Sequence, residues 1–168
     1  MRRLLFTLAS LAFCLVAAAQ NNAADLIAIL GDSRVSLQYS YSDAAGSEMG
    51  KGIATVQGHC YKVVESGTAY YNDGKTLWTV NNHAKEIYIE NAGSDTDIFG
   101  NLDKILENVG NLAIEGTRVS FTMAVQGLPE DIHCKATILR KAEYSKDLSE
   151  FQVDISKYDK LWVITDLR

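Results

Sequence analysis

The chain has 168 residues and a formal net charge of −5, with sixteen basic and twenty-one acidic side chains. That balance argues against nucleic acid or an anionic membrane surface as an electrostatic partner. The length suits one domain with a core of its own.

The first nineteen residues, MRRLLFTLASLAFCLVAAA, run from two arginines through an apolar stretch to three alanines. This is the order of a secretory signal peptide, with cleavage expected after about Ala19. The apolar stretch is short for a bilayer span, and no second one follows. Cleavage before Cys14, as in a lipoprotein precursor, fits poorly, because bulky Phe13 precedes it and Cys14 lies inside the apolar run. Removing the segment leaves residues 20–168 as a single domain with fourteen basic and twenty-one acidic side chains, a balance of −7. A periplasmic location is expected, which permits disulfides, and the two cysteines that remain are Cys60 and Cys134.

Next, NNAADLIAILG places Ala23, Leu26, Ile27 and Leu30 on one helical face, with Asn before and Gly31 after. RVSLQYSYSD alternates, with Val35, Leu37, Tyr39 and Tyr41 on one side and Gln38 and the serines on the other. GIATVQG, CYKVVES and TAYYN read as three further short strands separated by glycine-containing turns. In YNDGKTLWTVN, Asp73-Gly74 tolerates the backbone of a tight turn, and the strand after it points Trp78 and Val80 to one face. The polar loop NNHAK returns the chain into EIYIEN, and loops this short predict antiparallel pairing. TDIFGNLDKILENVG is the clearest helix. Ile98, Leu102, Ile105, Leu106 and Val109 form its stripe, with Phe99 at the edge, Thr96 or Asp97 as cap and Gly110 as stop. RVSFTMAV then alternates with Val119, Phe121, Met123 and Val125 on one face, and HCKATILRK, EFQVDIS and KLWVITDL complete about ten strands.

Ten antiparallel strands and two helices predict a mainly β domain whose sheet buries a face against itself, as a sandwich, a closed barrel or a half-barrel. YKVV, LWVI and ATIL are apolar on both faces, so they need cover on both sides, from protein or from a ligand.

The run YNDGKTLWTVNNHAKEIYI resembles the signature of the LolA-like periplasmic lipoprotein carriers, particularly their divergent branch in Bacteroidetes-type bacteria. Element order extends the resemblance from Ala23 to Leu167, with DGKTLW as its one sharp motif. The resemblance implies an unclosed antiparallel half-barrel with two or more short helices covering the concave face. It implies a carrier that shields the acyl chains of lipoproteins and delivers them to the outer membrane. The partners implied are acylated lipoproteins or another lipid ligand, an inner-membrane release complex and an outer-membrane acceptor, and a monomer is expected. On this basis the cavity is expected to be lined by Leu37, Tyr39, Trp78, Val80, Ile87, Ile89, Phe121 and Met123. The lid helix is expected to present Ile98, Phe99, Leu102, Ile105 and Leu106. Two family features are missing. Gly58-His59 stands nearest to an Arg-Pro pair tied to lid closure, and Asn91-Ala92-Gly93 stands where a proline usually follows the hairpin.

Plain core packing accounts for Trp78 as readily as cavity lining does, and Tyr39 and Tyr41 could simply pack on a sheet surface. No catalytic set emerges. His59-Cys60 and His133-Cys134 repeat a dipeptide, but strand neighbours point to opposite faces, so each offers one ligand to a shared site. Two ligands are too few for a structural zinc, His83 sits in a polar loop, and no Gly-x-Ser-x-Gly or phosphate-cradling loop occurs. No enzyme activity, metal or cofactor is expected. Cys60 and Cys134 either form a bridge or stay as buried free thiols. The competing function is a non-enzymatic envelope sensor or adaptor of the same fold, with a secreted hydrolase ranked last. A deep apolar pocket would favour the carrier, and a filled core the adaptor.

Overall fold

The computed structural model describes Gly31 and residues 33–93, 109–125 and 127–168. Within them ten strands form one sheet: β1 Arg34–Ser42, β2 Glu48–Gln57, β3 Cys60–Glu65, β4 Thr68–Asn72, β5 Thr76–Asn81, β6 Glu86–Asn91, β7 Val109–Glu115, β8 Arg118–Met123, β9 Ile132–Ala142 and β10 Val163–Asp166. Their order is β10-β6-β5-β4-β3-β2-β1-β9-β8-β7, so the sheet ends at β10 and β7 and is not closed into a barrel. The mainly β, unclosed architecture stands as expected.

Turn chemistry explains the meander from β2 to β6. Ser66 and Gly67 both take positive φ, 48° and 85°, as the tightest hairpin turns require. At the next turn the Asp73 carboxylate accepts from the backbone N–H groups of Lys75 and Thr76, and at the one after it Asn81 Oδ1 accepts from those of His83 and Ala84.

Register sorts the side chains onto two faces, because partners across a ladder share a face. Leu37 lies opposite Ala54, Ala54 opposite Val63, Val63 opposite Tyr70, and Tyr70 opposite Thr79. Trp78 lies opposite Tyr71 and Ile89, on the other face. There Ala69, Trp78, Val80, Ile87 and Ile89 form a buried cluster. Val153, Ile155, Tyr158 and Trp162 pack onto it from a strap, residues 145–162, that joins β9 to β10.

Polar and aromatic contacts hold the strap along its length. The buried Gln57 amide donates to the Ser145 carbonyl at 2.9 Å and accepts from the Ser145 N–H at 2.8 Å. Phe151 has no exposed surface, with the Arg34 guanidinium 5.3 Å from its ring centroid and Glu150 paired to the same arginine. Gln152 donates to Asp73 at 2.9 Å, and Tyr158 meets Trp162 edge to face with centroids 4.7 Å apart.

Several sequence expectations are corrected. EFQVDIS is not a strand: it holds two 3₁₀ turns, Ser149–Phe151 and Ile155–Lys157, and its alternating Phe151, Val153 and Ile155 press onto the sheet instead of pairing with it. Asp147, Asp154 and Asp159 each accept a backbone N–H two residues on, which bends the chain repeatedly and prevents a ladder. Val109 and Gly110 do not end a helix. They begin β7, opposite Met123 and Thr122, and Asn111, with φ 51°, marks a break in its register. Pairing is not antiparallel throughout, since β10 runs parallel to β6, as the long strap before it allows. The helices expected over 23–30 and 96–108 lie outside the described residues, as do Ile98, Phe99, Leu102, Ile105 and Leu106.

The Cys60–Cys134 bridge does not form; both thiols are free. Three strand spacings separate β3 from β9, roughly 14 Å at about 4.8 Å each, twice the Cα separation of about 7 Å that a disulfide tolerates.

Candidate functional site on the Tyr39 face

The face opposite the strap combines a closed floor with half-open apolar side chains. Ala54, Tyr61, Val63 and Leu77 are buried there, and Leu37, Tyr39, Val56 and Tyr70 pack against them while remaining partly exposed. The same face continues onto the other half of the sheet. Tyr41 lies opposite Cys134 and Cys134 opposite Phe121, with Met123 two residues further along β8, and all four are partly buried.

The eight residues expected to line one cavity therefore divide. Leu37, Tyr39, Phe121 and Met123 share the half-open face. Trp78, Val80, Ile87 and Ile89 lie on the opposite face, buried against the strap, with Trp78 only 9% exposed. The indole is core. The strap covers the apolar side chains of β4 to β6 on that face, whereas Val64 of YKVV, Leu139 of ATIL and Val163 of LWVI stay exposed.

A polar group sits within the Tyr39 face. The two phenols of β1 reach across β2 to one carboxylate on β3: Tyr39 donates to Glu65 Oε2 at 2.5 Å and Tyr41 to Glu65 Oε1 at 2.6 Å. Glycine makes the crossing possible. A Cβ on Gly52 would lie 2.7 Å from the Tyr39 hydroxyl and 2.6 Å from the Val64 carbonyl, and one on Gly50 would overlap the Tyr41 phenol. The sequence carries a signal for this: Tyr39-Ser40-Tyr41 pairs with Gly50-Lys51-Gly52, large residues against none. Glu65 was missed because a glutamate before a turn looks like ordinary surface.

The environment raises both phenols. Burial first, then the hydrogen bond and charge of Glu65, hold Tyr39 far above its ordinary value, with Tyr41 and Tyr70 adding to it. Tyr41 is pushed up to about 12, chiefly by its bond to Glu65, then by burial, with smaller contributions from the Glu65 charge, Tyr70 and Cys134. These phenols hold their protons more tightly folded than unfolded. Their stabilisation is complete below the unfolded value of about 10; the share of Tyr41 falls away as the pH rises through about 12, and that of Tyr39 at higher pH still. A difference absorbance titration of wild type against Glu65→Gln should show two phenols ionising at lower pH in the variant; superimposable curves would contradict the pairing.

Burial also raises the Cys134 thiol to about 11, which leaves it protonated and a poor nucleophile near neutral pH. His59, His83 and His133 are exposed and on separate elements, and no group of three or more His, Cys, Asp or Glu side chains among the described residues could hold a metal. The arrangement suits binding. Neither a scan against protein-family models nor a search of curated proteins finds a match to this chain.

Proposed function

We propose that this protein is an exported, non-enzymatic carrier that shields the acyl chains of a lipoprotein, or of another lipid ligand, on the Tyr39 face of its sheet. One observation carries the reading: Leu37, Tyr39, Phe121 and Met123 share a face that stays partly open, while on the opposite face the strap buries Trp78, Val80, Ile87 and Ile89. Hydrocarbon exposed to water costs roughly 0.8 kcal/mol per CH₂, so a carrier needs a standing apolar surface, and no cofactor. The signal-like first nineteen residues support a periplasmic location. The LolA-like resemblance supports delivery to the outer membrane between a release complex and an acceptor, and a half-barrel shape with covering helices. Native mass spectrometry of the protein purified from its own periplasm tests this: co-purifying acylated species are expected, and a bare chain mass throughout would count against it.

A second reading, an envelope adaptor acting through protein contacts, is favoured by one feature. β10, an edge strand among the described residues, carries exposed Val163, with Leu161 and Leu167 exposed beside it. Pull-down partners lost on Val163→Lys but indifferent to Phe121→Asp would favour it over the carrier.

A further inference from the structure

We infer that Glu65, with Tyr39, Tyr41 and Tyr70 around it, is a recognition point for a cationic amine on an amphiphilic ligand. The inference rests on the carrier reading and names the head group that the apolar face would accept beside its chain.

Hydrogen-bond bookkeeping sets the polarity of the site. Both phenols spend their only proton on Glu65. What these two phenols and the carboxylate leave over is acceptor capacity: phenol lone pairs, the unused lone pairs of the carboxylate, and its negative charge. A part-buried carboxylate held by two neutral phenols keeps its full negative charge to offer to a cation. Here the ion pairs formed among the described residues are Arg34–Glu150, Lys51–Glu48, Lys157–Asp154 and Arg168–Asp166, and none involves Glu65. Register keeps the neighbouring described lysines away from Glu65. Lys51 and Lys62 lie opposite Ser40 and Thr55, on the strap side of the sheet, and Lys62 sits 5.5 Å from the centroid of the Tyr71 ring on that side. Along Glu65's own row the cross-strand partners are Gly52 and Tyr39 one way and Thr68, Asn81 and Glu86 the other, with no cation.

Aromatic faces complete the match. Tyr39 and Tyr41 hold the carboxylate on the Leu37 side of the sheet, Tyr70 neighbours both of them, and an ammonium gains from ring faces as well as from charge. A fatty-acid carboxylate at the same place would meet the negative charge of Glu65, with both β1 phenol protons already committed to it. An alcohol would gain one hydrogen bond and no charge term. The head-group order expected is amine, then alcohol, then carboxylate.

Three probes of equal chain length test this below their micellar concentrations: dodecylammonium, dodecanol and dodecanoate, titrated into the protein by calorimetry. Dodecylammonium should bind about tenfold more tightly than dodecanol, the scale of one charge-assisted contact, and Glu65→Gln should erase that difference while leaving dodecanol unchanged. Equal affinity of the amine and the alcohol for the wild-type protein would overturn the inference and leave the carrier reading standing. Absence of binding by all three would overturn both. Should Glu65→Gln fail to fold, the wild-type ranking still decides, and Tyr41→Phe, which keeps the carboxylate, should retain the amine preference.

Discussion

Phe151→Ala should destabilise the fold by about 3–5 kcal/mol, the usual cost of emptying a fully enclosed aromatic site. For a domain of this size that lowers the melting temperature by on the order of 10 °C. Phe151 has no exposed surface, and it anchors the strap where Arg34 covers its ring. Downstream, the same strap brings Val153, Ile155, Tyr158 and Trp162 onto Trp78 and its neighbours. Loosening the anchor should therefore raise hydrogen exchange in β5 and β6, which lie beneath those residues, more than in β8, which does not. Trp78→Ala belongs to the same class, with a comparable loss of stability and little direct effect on ligand affinity. Thermal melts check both variants; an unchanged melting temperature for Phe151→Ala would mean that the strap is not part of the core.

Phe121→Asp should behave in the opposite way. The ring is partly open on the Tyr39 face, so its loss costs the fold about 1 kcal/mol, an ordinary value for a half-buried site. A charge there would displace two or three methylenes of a bound chain from apolar contact, about 2 kcal/mol, which weakens acyl binding roughly thirtyfold. Ile53→Asp is the control, since Ile53 is 54% exposed and lies opposite Val64 and Gln38, on the strap side. Fluorescent fatty-acyl binding should fall for Phe121→Asp and hold for Ile53→Asp. Equal losses for the two would show that the ligand does not discriminate between the faces.

Alternation within a strand was readable, and Val35, Leu37, Tyr39 and Tyr41 do share one face. Alternation between strands was harder, and it is where the expected cavity went astray. Each hairpin from β2 to β6 encloses an even number of residues between its closing pairs, Gln57 with Cys60, Glu65 with Thr68, Asn72 with Leu77 and Asn81 with Glu86. An odd-numbered residue therefore faces an even-numbered partner at every step, and β1 meets β2 in the same way, so Trp78 lines up with Ser36 and not with Leu37. Grouping residues by apolar character alone merged two faces into one. The strap resembles a strand in sequence: Phe151, Val153 and Ile155 have the period of one, and only the aspartates that bend the chain distinguish a covering segment from a paired one. β7 was hidden by Gly110 and Asn111, which read as a helix stop but form an irregular strand start.

Photo-crosslinking most directly tests the claim that ligand binds on the Tyr39 face and not beneath the strap. A fatty alcohol bearing a diazirine on its chain would be bound, irradiated and mapped by peptide mass spectrometry, with unlabelled fatty alcohol as competitor. Competable adducts are predicted within Arg34–Ser42 and Arg118–Met123. Adducts confined to Thr76–Asn81 or to residues 145–162 would contradict the assignment.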